Sequence, residues 1–247
     1  MLLRQLLVGL GYKLVASTLP KPSGALKTLD DFLDRVYLKD VLDRLEINCV
    51  LDVGAHDGSF THNLRRMGFK GLVHCFEPNP DLFRQLAARF KDDSEIGVFD
   101  CALGECDGTK PFHVTNHPNL GSMLVPLTAP VDHVAQVQVR RLDSVFAQLI
   151  EPVKQARVFL KIDTQGYDLE VIKGASSCIG DICAIQSEIS VQPIYENMPH
   201  YTESLEFYES LGFQLLDVFE VSRNNLYGNI VEYDCLVARL ELIRPRG

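Results

Sequence analysis

VFLKIDTQGYDLEVIKGA, residues 158–175, decides how the rest of the chain is read. Val158–Ile162 is a short, nearly continuous apolar run that ends on Asp163. Gly166 then permits a tight turn, and the residues from Tyr167 to Ala175 bring apolar side chains back at helical spacing. A buried strand passing through a carboxylate-bearing turn into a helix is one unit of an α/β sheet. The same texture extends outward in both directions. Upstream, CVLDVG (49–54) reads as a strand and SFTHNLRRMGF (59–69) as a helix. GLVHCFEP (71–78) is a strand, DLFRQLAARF (81–90) a helix and EIGVFDCAL (95–103) a third strand. A loop-rich segment from about 104 to 134 precedes VQVRRLDSVFAQLI (137–150), a strand running into a helix. Downstream come the strand DICAIQSEI (181–189), the helix TESLEFYESLGF (202–213) and a closing antiparallel pair, FQLLDVFEV (213–221) with EYDCLVARLEL (232–242). Strands alternating with helices imply right-handed crossovers and a mostly parallel sheet covered on both faces.

The 247 residues suit one main domain with a small appendage, and at 46% hydrophobic and 23% charged the composition is that of a globular protein. A net charge of −9 disfavours a nucleic-acid partner, because phosphate-backbone binding needs clustered cations. The seven cysteines are odd in number, form no CxxC pair and sit partly inside apolar runs, as expected of reduced thiols in a cytoplasmic protein. Only His113 and His117 have a helical ligand spacing, and they fall in a loop, so no metal site is expected. At the N-terminus, Lys13 interrupts the apolar stretch before it could span a bilayer. That stretch reads as an amphipathic helix, with weak peripheral membrane contact as the lesser reading. PKPSGALKT (20–28) reads as a linker.

In a parallel sheet, ligands sit beyond the carboxyl ends of the strands. LDVGAHDGS supplies Gly54 and Gly58 around a tight turn into a helix. His56 occupies the middle glycine position of the dinucleotide fingerprint, which argues against a nicotinamide enzyme. Glu77 follows Gly54 by 23 residues, where a carboxylate can accept hydrogen bonds from both hydroxyls of an adenosine ribose. Asp100, Cys101 and Ala102 close the third strand beside an adenine-sized position. Asp163 and Glu188 are strand-end carboxylates. Long loops beside that edge, such as the one carrying NLGSM (119–123), often carry substrate contacts.

LDVGAHDGSF, FEPNP and FLKIDTQGYDLEVIKGA, in that order, resemble the FkbM family of S-adenosylmethionine-dependent methyltransferases. RRLDSV, SEIS, ESLGFQLLD and YDCLVAR agree, and the resemblance covers roughly residues 40–240. One departure is His56, where the family commonly has Asn. The resemblance implies a Rossmann-like class I methyltransferase fold: a mostly parallel seven-stranded sheet, its last strand antiparallel, with helices on both faces. The N-terminal forty residues lie outside the match, and the division expected is an N-terminal helical extension at 1–40 and the methyltransferase domain at 41–247. Asp52, Gly54, Ala55, His56, Asp57 and Gly58 would surround the methionine end of S-adenosyl-L-methionine, Glu77 and Pro78 the ribose, and Cys101 and Ala102 the adenine. Asp163, Gln165 and Gly166 would lie near the sulfonium. The expected acceptor is a hydroxyl of a sugar, glycan or secondary metabolite, deprotonated by a general base. Asp163 is the first candidate, with His133 and Glu188 in reserve. The rival reading is a catalytically silent S-adenosylmethionine-binding or interaction module.

Overall fold

A computed structural model describes residues 24–224 and 226–243. The chain divides between Arg44 and Leu45 into two compact units. In the first, α1 spans Gly24–Arg44. Gly24–Thr28, expected as linker, are therefore helical: Gly24 stands at the very start, no breaker follows it, and Ala25, Leu26 and Lys27 favour helix. The amphipathic helix expected before residue 20 lies outside the described residues.

In the second unit β1 (Cys49–Val53) is followed by α2 (Ser59–Arg66), β2 (Leu72–Phe76), α3 (Pro80–Phe90) and β3 (Ile96–Phe99). Then come β4 (Ala102–Leu103), β5 (Gly108–Thr115), β6 (Val131–Arg140), α4 (Leu142–Ile150), β7 (Val158–Ile162) and α5 (Asp168–Lys173). β8 (Ile182–Ser190), α6 (Tyr201–Ser210), β9 (Phe213–Arg223), β10 (Ile230–Arg239) and α7 (Leu240–Ile243) close the unit. The main sheet runs β3-β2-β1-β7-β8-β10-β9, and only β10 is antiparallel to its neighbours. Among the described residues no helix is long and apolar enough to cross a membrane.

Two expectations are corrected. The single strand read over 95–103 is broken at Asp100–Cys101: β3 pairs with β2, while Ala102–Leu103 pair with Val139–Arg140 in a second sheet. The segment read as loop-rich, 104–134, holds β5 and the start of β6, antiparallel partners in that three-stranded sheet, ordered β4-β6-β5. Its signal is weak because most β6 side chains face solvent and Pro111 interrupts β5. Pro111 is tolerated because β5 is an edge strand.

The two faces of the main sheet differ in kind. Cys49, Leu51, Val53, Leu160, Ile162, Ile185, Cys235 and Val237 share one face in an apolar core. Since side chains alternate, the other face carries Asp52, Lys161, Gln186, Glu188 and Asp234. Cross-strand register sets Asp52 beside Lys161, Lys161 beside Gln186 and Glu188 beside Asp234. A row of polar groups thus crosses the middle of the sheet towards its carboxyl edge.

Candidate active site

That edge opens into a cavity of about 500 Å³. It is lined by the β1–α2 turn (Gly54, Ala55, His56, Asp57) and by the end of β2 (Glu77, Pro78, Asn79). Ala102 and Leu103 line it from the second sheet, and Lys161, Asp163, Gln165 and Tyr167 from β7 and its turn. Asn119–Gly121 and Met123, Glu188 and Glu232 complete the wall.

The turn after β1 is held by its neighbours. The N–H groups of Gly54 and Ala55 both donate to the Phe76 carbonyl at 3.0 Å, and the Asp163 N–H donates to the Val53 carbonyl at 2.9 Å. At Gly54 (φ +77°) a Cβ would come within 1.9 Å of the Asp163 carbonyl oxygen, so only glycine lets β7 end this close. Glu77, 4% exposed, accepts the His56 N–H on Oε2 and the Asn79 N–H on Oε1, each at 2.8 Å. Burial pushes its carboxyl above the usual range despite these two bonds. Each oxygen keeps a further lone pair for a ligand hydroxyl.

At the end of β7, the Lys161 ammonium, on a side chain 7% exposed, donates to Asp163 Oδ2 at 2.9 Å and sits 5.6 Å from the centre of the Phe60 ring. Burial alone would lower the Lys161 pKa. Asp163 and Asp52 outweigh it and hold the ammonium charged. Burial likewise works to raise Asp163, but Lys161 and the Gln165 amide prevail and keep it below the normal carboxylate range. Gln165, at φ +56°, divides its amide: Nε2 donates to Asp163 Oδ1 at 3.0 Å and to Glu188 Oε2 at 2.6 Å. Its Oε1 accepts the Tyr195 hydroxyl at 2.8 Å, and its carbonyl accepts the Ser122 hydroxyl at 2.7 Å. A non-glycine residue held in this region by four hydrogen bonds is strain retained where position matters. Glu188 differs from Asp163. Burial, then repulsion from Asp163 and Glu232, raises its pKa well above the carboxylate norm.

The structure therefore brings Gly54, Ala55, His56, Asp57, Glu77, Pro78, Ala102, Asp163, Gln165 and Glu188 around one cavity. It leaves other candidates outside. His133 lies on β6, its side chain 57% exposed and paired with Asp132 at 2.9 Å, so it cannot serve as base in this cavity. Asp52 is fully buried beneath the turn, accepting the Thr61 hydroxyl at 2.7 Å. Gly58 is a packing glycine: a Cβ there would meet Leu86 and Phe90 at 2.5–2.6 Å. Cys101 is half-buried at the bend between the sheets, and Gly166 turns towards Met198 and Leu124. Lys161, Tyr167 and Glu232 line the cavity without having been singled out as site residues from the sequence. Lys161 could have been found as the one charge in VFLKI; nothing marks Glu232 until β10 returns beside β8.

Asp168 and Asp234 are each pushed up to about 6 by burial. Asp168 accepts the Ser187 hydroxyl at 2.7 Å and both the N–H and hydroxyl of Thr164, and Asp234 accepts the Gln186 amide at 2.7 Å. A carboxyl whose pKa is higher folded than unfolded binds its proton more tightly in the native state. Its contribution to stability is complete below about pH 4 and is lost as pH rises through about 6. We expect Asp234→Asn to flatten the fall in stability between pH 4.5 and 7 by roughly 2 kcal/mol. Denaturant melts of variant and parent at the two pH values measure it, and parallel slopes would refute it.

Fold and cavity together define a class I S-adenosylmethionine-dependent methyltransferase: a central sheet in this order with β10 alone reversed, and a binding edge running from a glycine turn to a carboxylate at the end of the neighbouring strand. The model of the methyltransferase FkbM domain matches residues 52–215, and the chain belongs to that family. A curated relative, the 2-O-methyltransferase NoeI of Sinorhizobium fredii, is 24% identical over 200 residues, covering 73% of this chain and 76% of NoeI. Among solved structures, the magnesium protoporphyrin IX methyltransferase ChlM of Synechocystis aligns with a TM-score of 0.49 at 12% identity, covering 96% of this chain and 95% of its own. An rRNA methylase from Streptococcus thermophilus aligns at 0.46 and 13% identity, covering 84% and 95%.

Proposed function

We propose that this enzyme transfers the methyl group of S-adenosyl-L-methionine to a hydroxyl of a small-molecule or glycan acceptor. The observation that carries the reading is the cavity with Glu77 at one end and the carboxylates of Asp163 and Glu188 at the other. Three of its features match what an S-adenosyl ligand requires. Glu77 offers lone pairs to two ribose hydroxyls. Ala102, Leu103 and Leu82 give an apolar slot for a purine, and the Gly54–Asp57 turn lets backbone approach the methionine end. Bound there, the cofactor supplies an electrophilic methyl carried on a sulfonium.

The chain's own work is orientation and proton management. Lys161 and Gln165 occupy both oxygens of Asp163 and hold it ionised, a weak base better suited to orienting an acceptor hydroxyl. Glu188, next along the edge with its raised pKa, is the carboxylate better matched to accept a hydroxyl proton. The proton-accepting role expected first of Asp163 passes in this reading to Glu188. The 2-O-methyltransferase name of the relative NoeI supports a hydroxyl acceptor.

The test is calorimetric titration with S-adenosylmethionine and S-adenosylhomocysteine, followed by methyl transfer to a panel of glycans and polyols. Glu77→Ala is expected to weaken both S-adenosyl ligands by about tenfold or more, about 1.4 kcal/mol. Failure of the parent to bind either ligand, or binding indifferent to Glu77, would sink the assignment.

A further inference from the structure

The far wall of the cavity holds more negative charge than its neighbours can balance. β8 and β10 set Asp234 opposite Glu188 and Glu232 opposite Ser190, so the three carboxylates share one sheet face, with Glu232 diagonal to Glu188 at about 7–8 Å between backbones. Asp163 follows on β7, joined to Glu188 through the Gln165 amide. Asp168 at the start of α5 also repels Glu188 electrostatically, and Glu188 in turn acts on the phenol of Tyr195 from residues 191–200. Among the described residues one buried lysine, Lys161, stands against these groups, and its ammonium is bonded to Asp163. Glu188 and Glu232 both line the cavity. Glu232, 9% exposed, accepts the Ser222 hydroxyl at 2.9 Å. Among the described residues Glu188 accepts a hydrogen bond on Oε2 only, leaving Oε1 open. Carboxylates crowded on one wall against a single ammonium repel one another, so part of the wall stays protonated until a positive charge enters the cavity.

We propose that Glu188 and Glu232 read the charge of the bound cofactor: the sulfonium of S-adenosylmethionine drives a proton off this pair into solvent, whereas the neutral thioether of S-adenosylhomocysteine leaves it in place. The inference rests on the S-adenosylmethionine reading above and adds a consequence to it. The pair becomes a base only while a methyl donor is present. On transfer, the ionised pair takes the acceptor's hydroxyl proton as the O–CH3 bond forms, and the electron pair of the breaking C–S bond stays on sulfur. The wall is then protonated again beside a neutral product, with the sulfonium's electrostatic hold on it gone. Burial and then repulsion from Asp163 raise both carboxyls, and Glu232 raises Glu188 further, in agreement with this.

Proton release is measured by titrating each ligand at pH 7 in phosphate and in Tris, whose different ionisation heats turn released protons into an enthalpy difference. The amino-acid end common to both ligands cancels when the two counts are subtracted. For the parent, S-adenosylmethionine is expected to release about one proton more than S-adenosylhomocysteine. Glu188→Gln should cut that excess by about half or more, and Glu188→Gln with Glu232→Gln should abolish it, while S-adenosylhomocysteine still binds and so reports a folded site. Equal proton counts for the two ligands in the parent would overturn the proposal, and so would an excess that survives in the double variant. If neither ligand binds the parent, the cofactor assignment itself has failed, an outcome distinct from equal counts.

Discussion

Gly54→Ala is expected to cost on the order of 4 kcal/mol of folding stability and to abolish S-adenosyl ligand binding. Two effects add. At φ +77° an L side chain is strained, and the new Cβ would sit 1.9 Å from the carbonyl oxygen of Asp163, a backbone atom that cannot swing aside. Relief would require β1 and β7 to part. That would break the Asp163-to-Val53 hydrogen bond, while the turn is pinned from the other side by two donors on the Phe76 carbonyl. Gly68 provides the comparison: its φ is +86°, but a Cβ there meets nothing within 4 Å. Gly68→Ala should cost only the conformational part, about 1 kcal/mol. Denaturant unfolding of the two variants separates steric from conformational cost. A Gly54→Ala protein within about 1 kcal/mol of its parent would show that the β1–β7 junction is looser than this packing requires.

Lys161→Met is the second large effect, a loss of about 3 kcal/mol at neutral pH. Methionine matches the lysine stem in volume, so little of the loss is packing. The ammonium lies between Asp163 and, one strand over, Asp52, which is fully buried and whose Oδ1 has no hydrogen-bond partner among the described residues. Burial already raises the Asp52 carboxyl, and Lys161 is the main influence lowering it. Without the lysine, Asp52 must be desolvated unpaired or take up a proton. The variant's deficit should therefore shrink as pH falls, because a carboxyl whose folded pKa is raised favours the native state once protonated. Asp52→Asn in the same background should recover part of the loss, a coupling that a double-mutant cycle measures. A deficit independent of pH and additive with Asp52→Asn would remove Lys161 as the balancing charge of this row.

Much of this was legible in the residues, for identifiable reasons. CVLDV, LVHCF and VFLKI are near-continuous apolar runs because their strands are covered on both sides, and burial on two faces leaves an unambiguous pattern. Gly54, Glu77 and Asp163 lie at the ends of those strands, so their place at the ligand edge followed from topology. The second sheet was legible only in part: the strand read at 137–140 is the alternating, half-buried end of β6 and Ala102–Leu103 form β4, whereas the solvent-facing start of β6 and β5, which carries a proline, show no such signal. His133 was a candidate because imidazole has a suitable pKa, and its exclusion is geometric, since β6 carries it to an exposed surface.

The sequence by itself determined the class of fold, the order of its elements and the strand ends at which a ligand would be held, because these depend on local apolar patterning and on turn residues close in the chain. The tertiary structure decided the roles within the site. Whether Asp163, Glu188 or His133 can accept a proton depends on which cation and which carboxylates lie across neighbouring strands. Lys161, Glu188 and Glu232 are apart in the chain and share a wall only because β8 pairs with β7 and β10 inserts antiparallel between β8 and β9. Charge interacts through space, and a carboxylate's protonation is set by neighbours that sequence proximity does not reveal.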